Sequence, residues 1–181
     1  MTNDTNDSVY RSKSNSQNDT SVKMAYLSIS SSEIDDPLLS YPIFNKNQRG
    51  LCIIMNHRDF DKSLELNSRD GTDIDCRFLE KIFRKLNFDV RVYLNSTQAQ
   101  YREIFDSICK LNLEESDSFF CFILSHGDKG MLYSYDSPFN LDDILSYFVG
   151  TKCPHLIGKP KLFFIQVNNY SNNPGLPRLQ F

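Results

Sequence analysis

No stretch of this 181-residue chain approaches the roughly 20 consecutive apolar residues that a membrane-spanning helix needs. Its mean hydropathy is −0.43, and no membrane association is expected. The residues from Met1 to Val9 are polar and lack the apolar segment of a secretory leader, so no secretory signal is expected. The five cysteines are an odd number and form no Cys-x-x-Cys pair. Without a leader, that pattern implies reduced thiols in a cytoplasmic protein rather than a disulfide framework. There is also no basic excess. Residues 1–40 hold six acidic and three basic side chains, which leaves 17 of each sign in the remainder. The net charge of −3 therefore sits at the amino-terminal end, and nothing points to nucleic acid or an anionic lipid surface as a partner. Internal repeats are absent too. What remains, at 40% hydrophobic and 24% charged residues, has the makings of one packed domain.

Residues 1–40 are rich in Asn, Ser, Thr and Asp. They cannot bury enough apolar surface to offset backbone ordering and are read as a disordered tail. From residue 41 to 166 the pattern is that of a folded domain. Gly50 to Asn56 is a short apolar run, the mark of a strand buried on both faces. After a polar loop, Thr72 and Asp75 form a plausible capping pair for a helix. Ile74, Phe78, Ile82, Phe83 and Leu86 would be its apolar face. Asp89–Leu94 reads as a second strand, and Thr97 with Gln100 starts a helix whose inner side is Tyr101, Ile104, Phe105 and Ile108. Phe119–Leu124 is a third strand, Gly130–Phe139 a small hairpin, and Leu141, Ile144, Leu145 and Phe148 a third helical face. Leu162–Ile165, entered from Pro160, is a fourth strand. Strands alternating with helices imply an α/β fold, a three-layer αβα sandwich around a mainly parallel sheet. Sites in such folds lie at the carboxyl ends of the strands.

Two segments occupy that position. Ser125-His126-Gly127 follows the third strand in what reads as a turning loop, and Gln166 ends the fourth. His126 there is a candidate general base, the plainer alternative being a histidine that merely caps the strand. Gly127 would offer a backbone N–H beside the imidazole, as an oxyanion donor must. A nucleophile paired with His126 should then stand just after Gln166.

From about Arg49 to Gln166 the sequence resembles the caspase family. The resemblance is carried by four motifs in order: Arg49-Gly50-Leu51-Cys52-Ile53-Ile54, Ser68-Arg69-Asp70-Gly71-Thr72-Asp73, Phe122-Ile123-Leu124-Ser125-His126-Gly127, and Gly158 through Gln166. It implies a cysteine endopeptidase that cuts peptide substrates after aspartate in cell death and related signalling, with no metal or organic cofactor. It further implies His126 as the catalytic histidine, Gly127 as an oxyanion-hole glycine, and Arg69 and Gln166 as residues that hold the substrate aspartate. A guanidinium grips a carboxylate with two parallel hydrogen bonds, which a lysine cannot do. The polar tail resembles an executioner-type prodomain, and Asp35, in Ser32-Glu33-Ile34-Asp35, resembles a processing site. A plain acidic stretch is the alternative there.

The resemblance breaks after Gln166. The family pattern continues Ala-Cys-Arg/Gln-Gly, whereas this chain reads Val167-Asn168-Asn169-Tyr170. Asn168 stands at the nucleophile position, and a carboxamide gives His126 nothing to activate. Residues 167–181, rich in Asn, Pro and Gly, are unlike the family. No strands, dimer interface or further substrate-binding arginine of a small subunit are expected from these residues, so the sheet is expected to be incomplete, with the fourth strand an exposed edge. A family-type homodimer is not expected. Three functions stand side by side. One is a catalytically inactive homologue that acts as a decoy for caspase partners or substrates. Another is a fragment, splice or gene-model product of an active executioner caspase. The third is an interaction module unrelated to proteolysis. Other nucleophiles or ligands carry little. Cys52 and Cys121 fall inside strands and Cys76 and Cys109 in helices. Cys153, with His155 nearby, lies in a loop before the fourth strand. His57 is expected in a solvated loop, and nothing positions Ser171.

Overall fold

The structure, a computed structural model, describes residues 48–128 and 130–169. Asp35, Ser171 and both chain ends lie outside them. The elements run β1 (Gly50–Asn56), α1 (Thr72–Lys85), β2 (Phe88–Leu94), α2 (Gln98–Cys109), β3 (Ser118–Asp128), β4 (Met131–Tyr133), β5 (Pro138–Asn140), α3 (Leu141–Leu145) and β6 (Lys161–Asn169). Short 3-10 turns occupy Lys62–Leu64, Ser146–Phe148 and Pro154–Leu156.

β1 lies between β2 and β3 and is parallel to both, with Gly50 opposite Phe88 on one side and Ser118 on the other. β6 lines the far edge of β3, also in parallel, from Phe119 opposite Lys161 to Gly127 opposite Asn169. The hairpin of β4 and β5 is antiparallel and joins β3 where Leu132 faces Gly127. Among the described residues β6 pairs with β3 alone. Gly50 is fixed by close approach, because a Cβ there would run into the Ser118 carbonyl.

The two faces of the sheet build two cores, as period-2 alternation requires. Leu51, Ile53 and Met55 of β1, with Phe119, Cys121 and Ile123 of β3, pack against Tyr101, Phe105 and Ile108 of α2 and Ile144 of α3. Cys52, Ile54, Phe122 and Leu124 turn the other way, onto Cys76 and Phe83 of α1. Phe83 sits among Phe88, Phe120 and Phe122 with ring centroids 4.9–5.3 Å apart. Helices thus cover both faces, and the αβα arrangement is the observed one. No helix among the described residues is long and apolar enough to cross a membrane.

Several local expectations need correction. Helix α2 begins as read, with Thr97 Oγ1 accepting from the Gln100 N–H and Gln100 Oε1 accepting from the Thr97 N–H. Helix α1 does not: its N-cap is Gly71 at φ 95°, with no side-chain cap. Thr72 is instead held by long-range partners described below. The inner stripe of α1 runs through Cys76, Leu79, Ile82 and Phe83, while Ile74 and Phe78 are 65% and 63% exposed. Ser125, His126 and Gly127 are not a turning loop. They continue β3, because β6 goes on pairing with it through Asn169. His57 is fully buried rather than solvated. Cys153 is buried too, and it is disulfide-bonded to Cys109 rather than being a free, exposed thiol.

Candidate functional site

At their carboxyl ends β1, β3 and β6 deliver Asn56-His57, His126 and Gln166-Asn168 to one end of the sheet. Asn56 is a polar residue ending an apolar strand. Its Oδ1 accepts from the Thr72 hydroxyl at 2.7 Å, and its Nδ2 donates to Asp73 at 2.8 Å. These two bonds tie the start of α1 to the end of β1, which is why Thr72 is unavailable as a cap.

Arg69 lies just ahead of that helix and is only 4% exposed. Its Nη1 donates to the His57 carbonyl at 3.0 Å and to Thr72 Oγ1 at 2.9 Å. Nε is buried without a partner, and Nη2 makes no hydrogen bond to a described residue. Burial lowers the guanidinium's pKa, and the nearby carboxylate of Asp75 opposes that. An open cleft of about 350 Å³ is lined by Arg69, Thr72, Ile74, Asp75, Gln166 and Asn168. Across it, Gln166 Nε2 donates to Asp75 Oδ2 at 3.4 Å. A buried cation held along one edge, with no carboxylate bonded to its nitrogens, is a strong attractor for an anion.

His126 is nearly buried and stands opposite Asn168, a residue of the cleft wall, in the strand register. Its Nδ1 lies 3.2 Å from the main-chain oxygen of Asn168, and its Nε2 lies 2.9 Å from the main-chain oxygen of Asn67. Both neighbours are acceptors, so a neutral ring, with one N–H, satisfies one of them at a time. The Phe60 ring packs on the imidazole at 5.0 Å. Gly127 is tightly enclosed: a Cβ would come within 2.8 Å of the Met131 oxygen and of Val167 Cγ1.

No cysteine stands beside His126. The free cysteines, Cys52, Cys76 and Cys121, are all buried. Burial pushes the Cys52 thiol up to about 12 and the Cys76 thiol to about 11, and drives Cys121 upward as well. None is a thiolate near neutral pH. The Cys153 and His155 pair is no better placed, because Cys153 is spent in the disulfide and His155 Nδ1 lies 3.4 Å from Glu114.

The structure therefore gathers Arg69, Gln166, Asn168 and His126 at one end of the sheet. Sequence reasoning missed Asn56, Thr72, Asp75, Phe60 and the Asn67 carbonyl. A polar Asn closing an apolar strand was a usable signal for the first of these. The others depend on contacts between distant segments.

The caspase-domain family model matches residues 49–175. Caspase-8 of Mus musculus is 40% identical over 170 residues, covering 87% of this chain and 35% of that protein. Caspase-3 of Mus musculus is 42% identical over 119 residues, covering 66% and 43%. Caspase drICE of Drosophila melanogaster is 41% identical over 129 residues, covering 70% and 37%. The chain thus spans between 35% and 43% of the length of these relatives.

Proposed function

The chain belongs to the caspase family, and from that premise we propose that it binds aspartate-bearing peptides or caspase partners without cleaving them. One observation carries this reading. In the register of β3 and β6, the residue opposite His126 is Asn168, which offers neither a thiol nor an ionisable proton. His126 then has no group to deprotonate, and covalent catalysis has no first step.

The binding half of the proposal rests on Arg69. Its guanidinium is held from behind by the His57 carbonyl and the Thr72 hydroxyl, and it borders a cleft that Gln166 also lines. A peptide carboxylate entering that cleft would meet the remaining guanidinium nitrogen, with Gln166 as a neutral donor beside it. Asp75 on the cleft wall works against a second carboxylate, so one acidic side chain is the matched cargo. Gly127 would play no oxyanion role without an attacking group. The setting in this reading is the cytoplasm, where a non-cleaving homologue would compete for the substrates or partners of active relatives. Asp35 would be a processing site for such a relative.

The test uses the purified chain and two peptides that differ only as aspartate or asparagine at one position. The aspartate peptide should bind at least tenfold more tightly, and Arg69→Ala should abolish the difference. A fluorogenic aspartate-ending tetrapeptide should stay intact. Cleavage that disappears in His126→Ala would overturn the non-catalytic reading. Equal affinity for the two peptides would overturn the binding reading.

A further inference from the structure

We infer that Cys109 and Cys153 form a reversible redox clip that fastens the end of α2 to the segment leading into β6. The two residues are 44 apart in sequence, yet their Cα atoms lie 4.4 Å apart and their sulfurs are bonded. That separation lies within the range that disulfides adopt. Cys109 ends α2 and is partly exposed, whereas Cys153 is buried beneath it. Soluble oxidants and thiols thus have a way in through Cys109. The other three cysteines are buried and unpaired, and burial holds their thiols protonated, so oxidation is directed to this pair.

What the clip fastens is the entry to β6, the strand that carries Gln166 and Asn168 towards its other end. Beyond Cys153, the turn Pro154–Leu156 leads through Lys159 into β6. Lys159 Nζ donates to the Leu113 carbonyl at 2.6 Å and to that of Glu114. His155 faces Glu114, and Lys161 Nζ donates to the Leu156 carbonyl at 2.8 Å. These polar ties seat the strand that carries Gln166 and Asn168. A covalent bond at Cys153 adds to them and lowers the entropy of the opened chain.

The chemistry needs a peroxide as oxidant and glutathione as reductant. The Cys109 thiolate attacks one peroxide oxygen and the O–O bond breaks. This leaves a sulfenic acid and, after proton uptake, one water. The Cys153 thiol then attacks that sulfur, the S–S bond forms as the S–O bond breaks, and a second water leaves. Two electrons pass from the two sulfurs to the peroxide. Two glutathione thiols return them by exchange, ending as one glutathione disulfide.

The experiment equilibrates the full chain in glutathione buffers of graded ratio, alkylates the free thiols and maps them by mass spectrometry. Cys109 and Cys153 should link in oxidised buffer and open under a roughly hundredfold excess of reduced glutathione. Cys52, Cys76 and Cys121 should stay unlinked throughout. Tm should fall by about 10 °C on reduction in the wild type and should not respond in Cys109→Ser. Hydrogen exchange in residues 161–167 should slow on oxidation. A pair that stays open in oxidised buffer, or that stays closed across the whole series, overturns the proposal. So does linkage involving any other cysteine. The wild-type titration decides these points even if Cys109→Ser folds poorly.

Discussion

Lowering the pH from 6.5 to 4 should cost this fold about 3 kcal/mol through His57 alone. The ring is fully buried at the end of β1. Nε2 meets the Tyr101 hydroxyl at 2.7 Å, and Nδ1 has no partner. Phe60 and Tyr101 stack on it at 6.1 and 5.5 Å. Burial and the neighbouring Arg69 cation both disfavour a second positive charge, and they bring the pKa down from 6.5 to about 4. Between those values the unfolded chain binds a proton that the folded one refuses. Stability is therefore fully present above pH 6.5 and is lost as the pH falls towards 4. A shift of that size, at about 1.36 kcal/mol for each pH unit, gives the figure above. The assay is urea unfolding at a series of pH values, for the wild type and for His57→Gln. Glutamine retains a hydrogen-bonding end for Tyr101 and cannot titrate. The variant's stability should lose about 3 kcal/mol less across this window, whatever its stability at neutral pH. Other titrating groups cancel in the difference. Curves that stay parallel from pH 6.5 to 4 would refute the claim that His57 is neutral and desolvated in the native state.

Three further outcomes follow from packing and register. Gly127→Ala should destabilise the chain by about 1–3 kcal/mol in urea titrations, because the added Cβ meets the Met131 oxygen and Val167 at 2.8 Å; a neutral result would mean that β3 and β6 separate there. Phe164 stacks on Phe122 at 4.9 Å but remains 47% exposed on a strand whose residues 162–168 carry no charge. Phe164→Lys should slow the rise of light scattering on warming while costing about 1 kcal/mol of stability. Asn168→Cys should leave cleavage of an aspartate-ending reporter at background, because the main chain of residue 168 lies against His126 Nδ1. A cysteine-dependent activity in that variant would show that the residue type alone was limiting.

The layers of this fold were legible because β1, β3 and β6 each hold an apolar run and β2 alternates through Val90, Val92 and Leu94. Gly50–Asn56 was read to the residue, since its side chains are buried on both faces and its ends are marked by Gly50 and Asn56. Helix α2 was equally plain, as its capping box is local chemistry. The errors arise where a distant partner outweighs a local preference. Thr72 has the sequence context of a cap, but Asn56 and Arg69 compete for its hydroxyl and win. His57 follows a strand and precedes charged residues, which reads as solvent. Phe60 and Tyr101 enclose it, and neither is identifiable as its neighbour before the sheet is assembled. The pairing of Cys109 with Cys153 likewise spans 44 residues, and a count of cysteines cannot foresee it.

The candidate site was legible in its residue types and not in its geometry. Arg69, His126, Gln166 and Asn168 were identified from motifs, and they do converge at one end of the sheet. Beside His126, the expected break was a loss of side-chain chemistry at position 168. Backbone pairing adds a second obstacle. Val167-Asn168-Asn169 remains compatible with an extended chain, so β6 continues alongside Ser125, His126 and Gly127. The imidazole is thereby placed between two main-chain carbonyls, those of Asn67 and Asn168. A general base must reach the proton it removes, and here one ring nitrogen faces backbone on each side. On the non-catalytic reading proposed above, the changed segment affects the base as well as the nucleophile, while the Arg69 side of the cleft, built on β1 and the start of α1, does not depend on it. On the function proposed above, that separation is the physical reason carboxylate binding outlasts catalysis.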